Sequence, residues 1–271
     1  MVEITDGDDE RLDLYRHLTD ADARRSLEAE HGIFVVEGLT AIERLLRSDH
    51  RVRSLLLLAP QARRLSGALA GRDVPVYIGS RELLAATAGF DVHRGALAVA
   101  ERPPFPTVLD VLPGAHLLAV LEGLTDHENL GAIARSARAL GVDALLLDPT
   151  CADPLYRRAV RVSMGEILFL PWTRLSPWPG GLDQLRQAGI TLVALTPAPD
   201  ARPIDQLVTS GPSGPMALLL GTEGPGLSPA AMASCDLRVR IPVRAGVDSL
   251  NVGHAAAIAF HLLGRRTHEA H

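Results

Sequence analysis

The sequence predicts an α/β protein in two parts: a small N-terminal α/β domain over residues 1–105 and a larger α/β domain over 106–271 built on a parallel sheet. Three observations predict it. Strand-like and helix-like stretches alternate along most of the chain. After residue 114 the strand-like stretches become unbroken Val/Leu runs, the pattern of strands covered on both faces. Between the parts, ERPPFPTVLDVLPG (101–114) sets four prolines in a short span, which breaks the periodicity and reads as an extended linker.

In order, the first part offers IFVVEG (33–38) as a strand, LTAIERLLRS (39–48) as a helix, VRSLLLLA (52–59) and PVYIG (75–79) as strands, SRELLAATA (80–88) as a helix and ALAVAE (96–101) as a strand. The second offers the strands LLAVLEG (117–123), ALLLD (144–148), ILFLPW (167–172), TLVAL (191–195), MALLLG (216–221) and LRVRIPV (237–243). Helical stretches fall between them at GAIARSARAL (131–140), PLYRRAVRVS (154–163), GLDQLRQAG (181–189) and SPAAMASC (228–235), and the chain closes on a helix, apolar nearly all round, over 250–264. No internal repeat is visible.

Composition excludes several classes. The 271 residues are 47% hydrophobic and 22% charged, an ordinary globular balance. Cys151 and Cys235 have neither CxxC spacing nor companions, so no disulfide framework or zinc knuckle is indicated and a reducing cytosol fits. The N-terminus lacks a basic flank followed by an apolar run, and no stretch approaches the roughly 18 apolar residues of a membrane span, so the expected location is cytoplasmic. The ten histidines, His127, His254 and His261 among them, show no metal spacing such as HExxH, and no metal is expected. The net charge is -5, but residues 1–30 hold ten acids against four arginines, which leaves the rest of the chain near neutrality. Every basic residue is Arg, whose planar fork suits phosphate; nucleic acid is a possible partner if the arginines cluster.

Ligands of open parallel sheets bind beyond the carboxyl ends of the strands, and three such ends are unusually polar or glycine-rich. In LEGLTDHENLGAIARSARALG (121–141), Asn129 falls near a helix cap, with Arg135 about two turns in and Arg138 a turn further on the same side. This reads either as a phosphate or ribose clamp or as a capped helix with solvated arginines. In ALLLGTEGPGLS (217–228), Gly221, Gly224 and Gly226 let the backbone approach a ligand, and Glu223 is an acid at the lip of the sheet. The order is G-x-x-G-x-G, not the dinucleotide fingerprint, and with no Lys in the chain a Walker loop is excluded. In IPVRAGVDSLNVGHAAAIAFHLLG (241–264), Asp248, Ser249 and Asn251 stand at the mouth of the apolar helix. Capping explains one such residue; two behind a Gly-containing turn and a strand suggest a site. Arg157, Arg158 and Arg161 form a basic stripe at helical spacing, which reads either as a phosphate-facing surface or as a solvated face.

Taken together, N-x-G-x-x-x-R at Asn129–Arg135, L-G-x-E-G-x-G at Leu220–Gly226 and I-P-V-x-x-G-x-x-S-L-N-V at Ile241–Val252 resemble, in order and separation, the three motifs of SpoU/TrmH-type RNA 2'-O-ribose methyltransferases of the SPOUT class. The likeness spans the second domain, and the first, with FVVEG and HRGALAV, resembles the family's small L30e-like RNA-binding domain. The resemblance implies a C-terminal α/β-knot domain with a deep trefoil knot, an exception to the rule that chains do not thread. It implies S-adenosylmethionine as methyl donor, held around Thr196, Gly221, Glu223, Gly224, Ile241 and Leu250, with Asn129, Arg135, Glu223, Ser249 and Asn251 as catalytic residues. Arg138, Arg157, Arg158 and Arg161 would bind RNA, ribosomal RNA being favoured over tRNA. It also implies a homodimer through the knot, which suits an all-round apolar helix needing burial. Where many relatives carry a hydroxyl after N-V, this chain reads NVGHA, with Gly253 and His254. The rivals are an RNA-binding protein that kept the fold and lost turnover, and a nucleotide-dependent oxidoreductase, which expects a G-x-G-x-x-G that LEGLTDHENLG lacks.

Overall fold

In this computed structural model, residues 1–244 and 246–268 are described, the last four of them by their backbone alone. The chain divides into two compact units: Met1–Pro104 with Leu155–Leu168, and Phe105–Pro154 with Phe169–His271. The segment Leu155–Leu168, placed by the sequence in the second domain, therefore packs with the first.

The first unit is a five-stranded sheet of β1 (Val2–Glu3), β2 (Ile33–Glu37), β3 (Val52–Leu57), β4 (Val76–Ile78) and β5 (Ala96–Glu101), ordered β1-β4-β3-β5-β2. β1, β4 and β3 run parallel, while β5 is antiparallel to both β3 and β2. Its helices are α1 (Ala21–His31), α2 (Leu39–Leu45), α3 (Ala59–Leu69) and α4 (Arg81–Ala88). The acidic leader is part of this unit: Val2 and Glu3 pair with Tyr77 and Ile78, and Ile4, Leu12, Tyr15 and Leu18 are buried in its core with Leu56, Leu97 and Val99. The sequence reading missed α1, whose many charges dilute the helical period, and α3, which carries only Arg63 and Arg64.

The second unit is a seven-stranded, wholly parallel sheet of β6 (Leu117–Glu122), β7 (Ala144–Leu147), β8 (Trp172–Arg174), β9 (Thr191–Leu195), β10 (Arg202–Pro203), β11 (Met216–Gly221) and β12 (Leu237–Arg240), ordered β10-β12-β9-β11-β6-β7-β8. The order reverses at β6, which has β7 on one side and β11 on the other, so a crevice is expected beyond these carboxyl ends. Helices α5 (Val108–Val111), α6 (His127–Ala139), α8 (Leu182–Gln187), α9 (Ile204–Ser210), α10 (Pro229–Ala233) and α11 (Val252–His268) belong to this unit, and α7 (Arg157–Val162) to the first. One face of the sheet buries Leu118, Val120, Leu146, Leu192 and Leu219 with Leu182 and Leu185 of α8. α11 packs along α6 and touches β6 and β11.

β10 and α9 lie where the sequence offered no element, and two further stretches differ from expectation. ILFLPW forms a 3-10 turn over Glu166–Phe169, with β8 starting only at Trp172, because a short apolar run fits either geometry and Pro171 has no N–H to donate to a ladder. The linker holds a helical turn, α5, whose N-cap Thr107 and Asp110 close a reciprocal capping box.

Candidate active site

Three loops leave the carboxyl ends of β9, β11 and β12 and converge. The β11 loop folds back on its own strand: Gly226 N–H donates to Thr222 O at 3.1 Å, and a Cβ on Gly221 would fall 2.1 Å from the Gly226 carbonyl carbon and 2.2 Å from Leu227 N. Only hydrogen fits there. Gly224 and Gly226 hold φ of 82° and 70°, left-handed values that cost other residues strain, and a Cβ on either would meet nothing within 4 Å. The loop thus presents bare backbone to open space.

That space is a cavity of about 600 Å³ lined by Leu195–Ala198, Leu220–Leu227, Met232, Arg240, Ile241, Val243, Asp248–Val252 and Ala255. Its volume falls in the range that encloses a small cofactor. Its walls are Leu195, Leu220, Met232, Leu250 and Val252, apolar surface for a nucleobase, beside glycine backbone for polar groups. Of the residues expected to hold the methyl donor, Thr196, Gly221, Glu223, Gly224, Ile241 and Leu250 all line this one cavity. These residues fit S-adenosylmethionine, an amphipathic nucleoside with an amino-acid tail. The reading from sequence left out Met232 and Leu195–Ala198 apart from Thr196; the strand-end rule applied to β9 would have found the latter.

At the rim, three side chains remote in sequence meet. Asn251 Nδ2 donates to Glu223 Oε1 at 2.6 Å and to Asn129 Oδ1 at 2.9 Å, while Asn129 Nδ2 donates to Glu223 Oε1 at 3.3 Å. Asn251 also caps α11, its Oδ1 accepting N–H from Gly253 at 2.9 Å and His254 at 3.3 Å. Capping and site building are thus one residue's work. Asn129 is not a cap: α6 starts a turn earlier on Asp126, whose carboxylate accepts Glu128 N–H at 2.7 Å, and this frees the Asn129 amide to reach across. Gly253 leaves room here, since a Cβ would sit 3.2 Å from Asn251 Oδ1 and 3.4 Å from Ala132 Cβ. Ser249 lines the cavity and is exposed.

Arg135 and Arg138 are exposed on α6, and among the described residues neither has a hydrogen-bond or ion-pair partner. Glu223 engages the two amides, not Arg135. The stripe on α7 is corrected in part. Arg157 is buried, paired with Glu37 at 3.0 Å and stacked 4.2 Å from the Phe90 ring centroid; Arg161 pairs with the same carboxylate at 3.1 Å. Only Arg158 is exposed and unpaired, because the hydrophobic side of so short a helix must be turned onto β2 and carries Arg157 with it.

Among the described residues no group of three His, Cys, Asp or Glu side chains is placed to hold a metal ion, and no helix is long and apolar enough to cross a membrane. Burial pushes the Cys151 thiol up to about 12 and that of Cys235 up to about 11; neither is a nucleophile near neutrality.

The sequence model of the SpoU rRNA methylase family matches residues 116–261, and that of the RNA 2'-O ribose methyltransferase substrate-binding domain matches 35–106. The chain is 43% identical over 269 residues to an uncharacterized tRNA/rRNA methyltransferase of Mycobacterium bovis, covering 99% of this chain and 92% of the relative. It is 32% identical to the 23S rRNA (guanosine-2'-O-)-methyltransferase RlmB of Pseudomonas aeruginosa, covering 86% and 96% respectively. The crystal structure of the SpoU methyltransferase AviRb of Streptomyces viridochromogenes in complex with AdoMet superposes with a TM-score of 0.78 at 28% identity, over 96% of this chain and 98% of that one.

Proposed function

Because the chain belongs to the SpoU rRNA methylase family and is an S-adenosylmethionine-dependent RNA (ribose-2'-O)-methyltransferase, we propose that its substrate is a ribose 2'-hydroxyl of ribosomal RNA in the cytoplasm. The observation that carries the site assignment is the meeting of Asn129, Glu223 and Asn251 at the rim of a glycine-walled cavity, Asn129 lying on the helix that also presents Arg135. The activity of the RlmB relative supports ribosomal RNA over tRNA.

A ribose hydroxyl is a weak acid and poor nucleophile, so the site must align it and remove its proton. When bound, S-adenosylmethionine supplies an electrophilic methyl group on a sulfonium. Thr196, Gly221, Gly224, Ile241 and Leu250 hold that donor, largely through backbone atoms and apolar contact. Arg135 serves as the guanidinium that clamps the target phosphate and offsets charge on the developing alkoxide. The phosphate accepts the proton. Asn129, Asn251 and Glu223 fix the two loops against α6, and Ser249 lines the pocket between donor and nucleotide. Arg138 and Arg158 contact RNA phosphate. The C-terminal chain of the second unit threads to form a trefoil knot, and the exposed Ile258 is covered in a homodimer through α11, an arrangement that light scattering checks as twice the chain mass.

Arg135→Ala should lower methyl transfer to bulk ribosomal RNA by about 10²–10³-fold and leave donor affinity within about twofold. Retained turnover would refute the role of Arg135. Mapping 2'-O-methyl sites in RNA from cells with and without the gene identifies the nucleotide; a lost site in tRNA and none in ribosomal RNA would overturn the substrate.

A further inference from the structure

Glu122 ends β6 with a carboxylate that is only 8% exposed and, among the described residues, has no arginine paired with it. It accepts the Trp178 indole N–H on Oε1 at 2.6 Å and the Ser228 backbone N–H on Oε2 at 2.8 Å. In the sheet it lies opposite Gly221, the residue against which the Gly226–Leu227 backbone folds. Ser228 directly follows that loop and caps α10, its Oγ accepting Ala231 N–H at 3.2 Å. Leu227 before it and Met232 after it both line the cavity.

We propose that Glu122 is a positioning residue for the methyl-donor pocket: its carboxylate clamps the end of the Gly221–Leu227 loop and the first turn of α10, and so holds Leu227 and Met232 as one wall of the cavity. The chemistry asks for a carboxylate. Two N–H donors converge from different segments, and burying a charge to receive them is costly unless both are bonded. Glutamine offers one acceptor oxygen and one amide N–H₂ group, so whichever donor met the N–H₂ would be left opposed and unsatisfied. Alanine would leave both unsatisfied. The inference rests on the cavity being the donor site.

Calorimetric titration of S-adenosylmethionine into the full chain tests it, beside steady-state kinetics and thermal unfolding without donor. For Glu122→Gln the expected result is a donor Kd raised roughly tenfold, the scale of one lost buried hydrogen bond, with kcat at saturating donor within about twofold and KM for RNA unchanged. Trp178→Phe, which leaves the carboxylate and the Ser228 bond in place, should raise the donor Kd roughly threefold. The double variant should bind donor more tightly than Glu122→Gln alone, since the glutamine N–H₂ then faces no competing donor. Unchanged donor affinity in Glu122→Gln, or an apparent kcat that falls only in step with the folded fraction while both KM values stay unchanged and Trp178→Phe gives no rescue, would overturn the proposal. Should Glu122→Gln not fold, an unaltered donor Kd in Trp178→Phe overturns it. Leu250→Ala separates the premise: if that variant also leaves donor affinity unchanged the cavity reading fails, and if it alone weakens affinity only the Glu122 assignment fails.

Discussion

Glu37 is 1% exposed and receives Arg157, Arg161 and the His93 backbone N–H at 3.2 Å. A buried charge so fully bonded is stable only while its partners stay, and removing one side of such a pair typically costs about 3–5 kcal/mol. Glu37→Gln should therefore destabilise the first unit by an amount of that order, read from the urea midpoint; a change under about 0.5 kcal/mol would show that the arginines are satisfied elsewhere. This residue also explains a misreading. Arg157, Arg158 and Arg161 form a basic stripe in the sequence, and nothing local distinguishes a stripe facing phosphate from one whose partner lies 120 residues earlier. Asn251 is the opposite case, since its position before an apolar run announced a cap, and the cap and the site contact coexist in one amide.

At the scale of elements, the acidic leader is the least expected. Its ten acids marked it in the sequence only by charge, yet Leu12 and Tyr15 in its 3-10 turn (Glu10–Tyr15) are fully buried, with the Tyr15 hydroxyl 2.7 Å from Ser54 Oγ. Two apolar side chains at i and i+3 were visible in the sequence; that they had a core to enter was not. Leu12→Ala should cost about 2–5 kcal/mol, the range for a large side chain removed from a packed core, measured by denaturant unfolding. A loss well under 1 kcal/mol would mean that the leader adds little to the unit. The strands of the second sheet were the most legible elements, because burial on both faces leaves a continuous apolar run. Of the exceptions, the two-residue β10 left no run to read, and ILFLPW was too short for periodicity to decide between turn and strand.

Across the whole molecule, charge governs how RNA is met. Outside its first 30 residues the chain carries 22 acids and 23 arginines, and several of those arginines are already paired internally. If Arg135, Arg138 and Arg158 supply the phosphate contacts, log(kcat/KM) for RNA should fall against log salt with a slope of about -2 to -3. A slope steeper than about -6 would require a phosphate footprint these three cannot provide. By itself the sequence determined the α/β class, the parallel second sheet and the polar and glycine-rich strand ends, because burial on two faces and the left-handed turns of glycine leave their mark locally along the chain. Only the tertiary structure decided that Asn129, Glu223 and Asn251 share hydrogen bonds, that Leu155–Leu168 packs with the first unit, and that Glu122 accepts the Ser228 N–H at the end of the glycine loop. Those contacts join residues tens to more than a hundred positions apart, and a hydrogen bond acts over about 3 Å of space whatever the separation along the chain.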